Sequence, residues 1–319
     1  MSRSAAHDAR NRGFREAFAT PFEFKDSLLP TGELIPKEAQ KLHLQHEVED
    51  VPAGRGARIH WLGDRSASKV LLYFHGGGFC FPPLKGHVRF WNESLKALNP
   101  KSDFVIAALE YGLTKQIRYP VQIIQGTEAL RFILDKGYAP SNVVIGGDSG
   151  GGSLALGVVS ILLHGLDGVP PLKLKEPLAG VLLYSAMVSF GTESESWTAN
   201  KDKDCVAPIS MQKLGPAYVD EKDLNEYSDP LRADAAWWRG IPAKSILNIY
   251  GGEECFKSHI VEFGDKLVEA GNPVENVECS TEVHIDWVLD LQAGLEPAEM
   301  RVRILDWLSK VFGNGGNGK

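Results

Sequence analysis

A serine lies in a glycine-rich turn between two apolar segments of the chain. The sequence GDSGG at 147–151 follows the apolar run 142–146 and precedes the apolar run 153–163. The first run predicts a buried strand and the second predicts a helix. A serine at such a turn has a strained backbone and an exposed hydroxyl, and only glycine fits beside the adjacent strand and helix. The spacing predicts a nucleophile elbow, with Ser149 as the nucleophile of a serine hydrolase.

The same five letters also surround the nucleophile of chymotrypsin-like proteases. Those proteases are β-barrels, usually contain disulfides, and place their histidine and aspartate before the serine. Here Ser149 lies mid-chain within alternating strand and helix patterns, and the candidate acid and histidine both follow it. This order disfavours the protease interpretation.

A second glycine-rich turn is suited to stabilising a negatively charged oxygen. The apolar run 70–74 predicts another buried strand, and HGGGF follows directly at 75–79. Ester hydrolysis passes through an oxyanion, and each backbone N–H that points at it contributes about 3 kcal/mol in a dry site. We expect the N–H groups of Gly77, Gly78 and Gly150 to form this oxyanion hole.

The glycine triplet is also compatible with a flexible turn or a phosphate-binding loop. No G-x-x-x-x-G-K-[ST] motif and no paired dinucleotide fingerprint accompanies it, which favours the oxyanion hole. Gly76 is a further candidate donor beside the three glycines named above. His75 is expected to hydrogen-bond backbone and shape the turn, so it is interpreted as structural.

With these two motifs the chain resembles the hormone-sensitive-lipase-like branch of the α/β-hydrolase fold family. That branch has an HGGG loop and a GDSAGG-type elbow, which match HGGGF at 75–79 and GDSGGG at 147–152. Gly150 stands where the branch usually has alanine, which keeps the N–H and adds only local freedom. The resemblance covers about residues 50–312. Within it, HGGGFCFPP and SDPLRADAAWWRGIP at 228–242 are most similar to fungal esterases and tailoring hydrolases.

Two adjacent glutamates compete for the role of the acid that orients the histidine. Glu253 and Glu254 follow the apolar run 245–250, which predicts a late core strand, and precede a predicted helix at 256–270. A loop just past a strand end suits a triad acid. Alternatively, both carboxylates only stabilise the N-terminus of that helix, by about 0.3–1 kcal/mol. The resembling branch reads D-P-L-x-D or E-V-L-x-D here, which aligns with ECFKS and implies Glu254.

Two of the nine histidines follow that late strand. His259 lies inside the predicted helix and is interpreted as an ordinary helix residue. His284 follows the predicted last strand at 274–279 and precedes a helix that begins near Trp287. Nucleophile, acid and histidine then occur in the order expected of α/β-hydrolases. We therefore expect His284 to be the catalytic base.

The elements that position these residues alternate as in a mostly parallel sheet. Strands are predicted at 57–62, 70–74, 103–109, 142–146, 178–184, 245–250 and 274–279, and helices at 87–98, 120–136, 153–163 and 256–270. The predicted fold class is α/β, an α/β-hydrolase fold with helices flanking the central sheet, and its first strands are expected to be antiparallel to the rest. The core comprises 49–188 and 241–312. The glycine-rich tail 313–319 is expected to be disordered.

Two stretches do not fit the alternating core, namely residues 1–48 and residues 189–240. The resemblance implies that they form a helical cap over the active site, the alternative being surface embellishments. An apolar pocket under a small cap favours compact, hydrophobic esters over long triglycerides. Although most aromatic residues of any chain are simply core, the candidate substrate-binding residues are Phe79, Phe81, Trp91, Tyr184, Trp197, Met211 and Tyr218.

The composition excludes several other classes of protein. The 319 residues are 43% hydrophobic with a net charge of −7, so no basic stripe is available for nucleic acid. No apolar run reaches the roughly 18 residues of a membrane span, and the first residues lack the apolar core of a secretory signal. Cys80, Cys205, Cys255 and Cys279 lack metal-type spacing and are interpreted as free thiols in the reducing cytoplasm.

Together these observations predict a serine carboxylic-ester hydrolase that needs no metal or organic cofactor. It is expected to act on small to medium apolar esters, in secondary metabolism, and a homodimer is compatible with the resemblance. One alternative is a non-hydrolytic acyl-transfer, cyclisation, lyase or isomerase step, which the same residues would support if water does not reach the intermediate first. A ligand-binding receptor is disfavoured because receptors of this fold lose the histidine, whereas His284 is present.

Overall fold

An eight-stranded sheet forms the centre of the molecule in the computed structural model, which describes residues 4–114 and 116–313. The strands are β1 (His46–Asp50), β2 (Arg58–Leu62), β3 (Lys69–Phe74), β4 (Phe104–Glu110), β5 (Val143–Asp148), β6 (Gly180–Tyr184), β7 (Ile246–Gly251) and β8 (Val274–Cys279). Their order across the sheet is β1-β2-β4-β3-β5-β6-β7-β8. Because β3 to β8 are parallel, their carboxyl ends meet at one edge of the sheet.

Among the described strands, β2 alone runs against the others. It pairs antiparallel with both of its neighbours, β1 and β4. The expectation of antiparallel first strands is therefore correct for β2 and wrong for β3, which pairs in parallel with β4 and β5. The connections explain the difference. A short turn at residues 51–57 joins β1 to β2, as antiparallel pairing allows, whereas a helix at Lys85–Ser102 lies between β3 and β4.

Helices cover both faces of this sheet, as the burial of its strands requires. The helices are α1 (Ala5–Ala19), α2 (Pro21–Asp26), α3 (Thr31–Lys41), α4 (Lys85–Ser102), α5 (Val121–Asp135), α6 (Gly150–His164), α7 (Glu195–Asn200), α8 (Pro208–Tyr218), α9 (Lys257–Glu269), α10 (Asp286–Ala293) and α11 (Glu299–Gly313). All residues of β5, β6 and β7 are buried, which needs cover on both faces. None of the helices within the described residues has the length and apolarity needed to cross a bilayer.

The N-terminal helices and the first part of the insertion lie together. Helices α1 and α2 both pack on α8, and the Ser210 hydroxyl of α8 donates to the Phe18 carbonyl of α1 at 2.9 Å. The later part of the insertion packs elsewhere, since the Trp238 ring contacts Phe263 of α9 with centroids 5.2 Å apart. At the other end of the chain, Gly313 belongs to α11. The rest of the predicted tail, 314–319, lies outside the described residues.

Candidate active site

Ser149 occupies the sharp turn between β5 and α6. Its backbone has φ +52° and ψ −122°, a region that costs a non-glycine residue about 1–3 kcal/mol. Hydrogen bonds hold the turn: the Ser149 amide donates to the Tyr184 carbonyl at 3.0 Å, and the Ser149 carbonyl accepts from the Met187 amide at 3.0 Å. The surrounding structure therefore fixes a strained serine at the carboxyl edge of the sheet, where the residue stays 7% exposed.

Glycines are required around this serine because the neighbouring strands leave no room for side chains. A Cβ on Gly147 would lie 2.2 Å from the Phe74 carbonyl oxygen, and a Cβ on Gly151 would lie 1.9 Å from the same atom. A Cβ on Gly152 would lie 2.6 Å from the Cβ of Ala186. These separations are far inside van der Waals contact, so the elbow packs on β3 only because it carries glycines.

The segment 75–79, here called the oxyanion loop, follows β3 and contacts the elbow. Gly77 and Gly78 have φ +108° and +56°, which favour glycine. The Gly76 amide donates to the Asp148 carboxylate at 3.0 Å, so Gly76 is not available as an oxyanion donor. Within the described part of the chain, the amides of Gly77, Gly78 and Gly150 have no protein acceptor. A Cβ on Gly150 would lie 3.0 Å from the Gly78 nitrogen, which places these donors side by side.

The acid directly before the serine links the elbow to the oxyanion loop. Asp148 is fully buried and accepts hydrogen bonds from the Tyr73 hydroxyl (2.9 Å), the Gly76 amide (3.0 Å) and His87 Nε2 (3.1 Å). Burial raises the pKa of Asp148, but His87 and these hydrogen bonds outweigh burial and hold the pKa below its ordinary value. This role was not predicted from the sequence, in which Asp148 stands between Gly147 and Ser149 within the glycine-rich elbow.

His75 lies in the oxyanion loop as a neutral ring. It stacks on Tyr111 with centroids 4.4 Å apart, and its Nδ1 lies 2.8 Å from the Gly76 carbonyl oxygen. Burial, followed by the nearby His87, lowers the pKa of His75 to about 4. A neutral ring bonded to backbone agrees with the structural interpretation of this residue.

Of the two candidate acids, the structure brings Glu254 and not Glu253 to the histidine. Glu254 is fully buried, and its Oε2 lies 3.9 Å from His284 Nδ1. The same oxygen accepts hydrogen bonds from the Ser185 hydroxyl (2.7 Å) and the Gly251 amide (3.1 Å). The Glu253 side chain is 29% exposed and pairs with Lys203 at 3.4 Å. The burial and hydrogen bonds of Glu254 hold its carboxyl group behind the imidazole.

His284 lies in the loop between β8 and α10, with its ring against Phe256 at a centroid distance of 4.9 Å. Burial lowers the pKa of His284, but the Glu254 carboxylate, with smaller effects of Asp204 and Asp148, raises it above its ordinary value. The other histidine considered, His259, is buried within α9 and does not line the cavity described next. The structure thus places His284 where a charged imidazole is stabilised.

Ser149 and His284 line one small, mostly apolar cavity of about 40 Å³ beneath α1 and α8. Its walls also include the oxyanion-loop glycines and side chains from the cap segments, namely Phe18, Gly77, Gly78, Phe81, Met187, Val206, Ser210, Met211, Leu214, Phe256 and Ile285. Phe81 and Met211 are the two predicted substrate-binding residues among them. Phe18, Val206, Leu214 and Phe256 were missed, because no motif distinguishes an apolar residue of a cap from one of the core.

The other five predicted substrate-binding residues are buried outside this cavity lining, where packing accounts for each of them. Phe79 stacks on Tyr218 with centroids 3.8 Å apart, and Trp197 packs edge-on against Phe256 at 4.9 Å. Trp91 packs edge-on against Tyr73 in the core, and the Tyr184 hydroxyl accepts a hydrogen bond from the Trp287 amide at 3.0 Å. Of these five residues, Trp197 supports a wall of the cavity from behind, because Phe256 lines the cavity.

Two further facts bear on the chemistry. The described residues contain no cluster of three histidine, cysteine or acidic side chains arranged to hold a metal ion. All four cysteines are buried, and none of them forms a disulfide.

Comparison with known proteins gives one family match and several relatives. A family model described as the alpha/beta hydrolase fold matches residues 71–287. Esterase LipI of Mycobacterium tuberculosis is 26% identical over 258 residues, which cover 77% of this chain and 76% of that protein. An acetyl-hydrolase of Streptomyces hygroscopicus is 24% identical over 223 residues, 69% of either protein.

A solved structure has the same fold. A bacterial esterase of the hormone-sensitive lipase family matches with a TM-score of 0.75 and 23% identity, over 98% of this chain and 100% of that chain. These findings confirm the predicted α/β-hydrolase fold class and the resemblance to esterases of that fold. The chain belongs to the α/β-hydrolase fold family.

Proposed function

We propose that this protein is a serine carboxylic-ester hydrolase with Ser149 as nucleophile, His284 as general base and Glu254 as the acid that orients it. The observation that carries the proposal is the arrangement around one cavity. A strained serine, a histidine backed by a buried carboxylate and three unpaired amides all lie at the carboxyl edge of the sheet. The names of the relatives, an esterase and an acetyl-hydrolase, support ester hydrolysis.

The mechanism is a two-step acyl transfer. His284 takes the proton from the Ser149 hydroxyl while the serine oxygen attacks the ester carbonyl. The carbonyl oxygen becomes an anion that the amides of Gly77, Gly78 and Gly150 stabilise. His284 then gives its proton to the departing alcohol, leaving Ser149 acylated. His284 takes a proton from water as the water attacks the acyl-enzyme, and it returns that proton to the Ser149 oxygen when the bond to the acyl group breaks and the carboxylic acid leaves.

The apolar walls and small volume of the cavity support compact acyl groups as substrates. We expect kcat/KM for p-nitrophenyl esters to be highest at C2 to C4 and to fall about tenfold or more by C12, because methylenes that do not fit cost about 1–3 kcal/mol. Leu214→Ala should move the preference to longer chains, since Leu214 lines the cavity. Ile209→Ala is the matched control, because Ile209 lies on the same helix but is 42% exposed. A maximum at C12 in the wild type would contradict a compact acyl site.

Activity should depend on pH through His284. The imidazole must be neutral to accept the serine proton, and burial, which lowers its pKa, is outweighed by Glu254, which raises it. The rate therefore falls as pH decreases through this raised pKa. We expect kcat/KM for p-nitrophenyl acetate to reach half of its plateau above the ordinary histidine value of about 6.5. The measurement is made from pH 5 to 9 at the isosbestic wavelength of p-nitrophenol, and a half-maximum below pH 6 would oppose the assignment.

A further inference from the structure

A second buried carboxylate lies behind the histidine, and it comes from the cap insertion. Asp204 is fully buried in the turn between α7 and α8. Its Oδ1 accepts hydrogen bonds from the Cys205 amide (2.7 Å) and the His284 amide (3.1 Å). Its Oδ2 accepts a hydrogen bond from the Cys255 amide at 2.6 Å. One side chain thus bonds the loop of the candidate base and the loop of the candidate acid.

We propose that Asp204 is a positioning residue for the catalytic centre, which sets the backbone of His284 and Glu254 and adds a second negative charge near the imidazole. The proposal rests on the proposed function, since it assigns a role relative to those two residues. It gives the cap insertion a part in the chemistry itself, in addition to covering the cavity.

The same insertion holds the acid loop at further points. The Asn200 side-chain amide donates to the Glu254 carbonyl at 3.0 Å, and the Ser196 hydroxyl donates to the Cys255 carbonyl at 2.6 Å. The Cys205 thiol lies 3.7 Å from the His284 carbonyl oxygen. The insertion therefore provides partners for the Glu254 carbonyl and for the backbone amide and carbonyl of both Cys255 and His284. A buried amide or carbonyl without such a partner costs about 1–3 kcal/mol, so these bonds define the geometry of both loops.

Helix α1 fixes the turn that carries Asp204. The Asn11 side-chain amide donates to the Lys203 carbonyl at 2.9 Å, and the Arg15 guanidinium donates to the Asp204 carbonyl. The carboxylate is consequently held from the N-terminal segment on one side and bonded to the catalytic loops on the other.

The hydrogen bonds of Asp204 indicate that its carboxylate is ionised. All three partners are N–H donors, which an ionised carboxylate accepts and a carboxylic proton would oppose. Burial, with a smaller effect of Glu254, raises the pKa of Asp204 above its ordinary value, while His284 and the amides of Cys255 and Cys205 act in the opposite direction. The charged groups that act on the His284 imidazole are the carboxylates of Glu254, Asp204 and Asp148. Each of them in its ionised form favours the imidazolium that forms during acyl transfer.

The test removes the charge of Asp204 and keeps the shape of its side chain. Asp204→Asn is compared with Asp202→Asn, which makes the same change two residues away at an exposed position. We expect Asp204→Asn to lower kcat for p-nitrophenyl acetate by about tenfold to a hundredfold. This is the effect on a rate that follows when a buried hydrogen bond to a charged group is lost. The acid limb of its pH–rate profile should move to lower pH. Asp202→Asn should change neither quantity.

A second readout does not depend on turnover. The His284 titration is followed by NMR in the wild type and both variants, with His284→Gln used to assign the signal. A lower His284 pKa in Asp204→Asn alone supports the proposal, whereas an unchanged pKa together with an unchanged kcat overturns it. Lower activity and lower melting temperature with an unchanged pKa would also overturn it, because that result describes a structural residue only.

Two other outcomes stay distinguishable. If the wild type hydrolyses no ester in a Ser149-dependent way, the proposed function fails, while the NMR comparison still decides the charge effect of Asp204. If Asp204→Asn does not fold, because its NH₂ group faces an amide donor, Asp204→Ser takes its place. Serine leaves room for a water molecule that can bond the amides of Cys255 and His284, and the same two readouts apply.

Discussion

Ser149→Ala is expected to lower kcat/KM for p-nitrophenyl acetate by about 10⁵-fold or more. The remaining activity would be the rate enhancement that substrate binding and the oxyanion hole supply without a nucleophile. The loss is large because alanine removes the atom that would become acylated, and the described lining of the cavity has no second hydroxyl that is free of a hydrogen bond to protein. Among its described lining residues, the other hydroxyl belongs to Ser210, which donates to the Phe18 carbonyl at 2.9 Å. Steady-state hydrolysis, with a burst assay for the acyl-enzyme, measures the effect.

Ser153→Ala is the matched control for this experiment. Ser153 lies one turn further along α6 and is buried, but its hydroxyl is committed to the Met187 carbonyl. Removing it leaves that carbonyl without its donor, which costs about 1–3 kcal/mol of stability, and should change kcat/KM only a few-fold. Turnover that persists in Ser149→Ala at near the wild-type rate would remove Ser149 from the mechanism.

Glu254→Gln is expected to lower kcat by about 10³- to 10⁴-fold, with a small effect on KM. Glutamine keeps the volume of the side chain but removes the charge that stabilises the His284 imidazolium. The single amide oxygen of glutamine can still accept from the Ser185 hydroxyl and the Gly251 amide, as Glu254 Oε2 does, so the substitution isolates the loss of charge 3.9 Å from the imidazole. The measurement is kcat for p-nitrophenyl acetate, with circular dichroism as the check on folding.

Glu253→Gln gives the neighbouring control with the same chemical change. The Glu253 side chain is 29% exposed and pairs with Lys203, and such a surface pair contributes at most about 1 kcal/mol. Its kcat should therefore stay within about twofold of the wild type. The reverse result, with Glu253→Gln inactive and Glu254→Gln active, would show that the acid was assigned to the wrong residue.

The parts of this site that were predictable from the sequence are those in which backbone geometry demands glycine. The elbow at 147–151 and the oxyanion loop at 75–79 each need a left-handed turn or close contact with a neighbouring strand. Gly151, whose Cβ would lie 1.9 Å from a carbonyl oxygen, shows how strict that demand is. Predicted strands placed both turns and the loops of Glu254 and His284 at one edge of the sheet, which the fold confirms.

The substrate-binding residues were less predictable, because the sequence does not show whether an apolar side chain lies in the core or on a pocket. Trp91 and Tyr184 are residue types that commonly line binding pockets, but here they pack in the core. Phe18 and Leu214 line the cavity instead. Asp204 was also missed. Its role arises from bonds to amides at positions 255 and 284, a juxtaposition of distant segments that no local pattern encodes.

The origin of the cavity walls has a consequence for the rates of binding. Phe18 of α1 and Leu214 of α8 lie on the cavity beside Ser149, and these two helices come from distant parts of the chain and pack on each other. An ester that reaches Ser149 therefore contacts side chains of both helices. Because a shift of one helix on the other changes the space at the serine, substitutions between α1 and α8 should alter the association rate of an inhibitor without touching Ser149, His284 or Glu254.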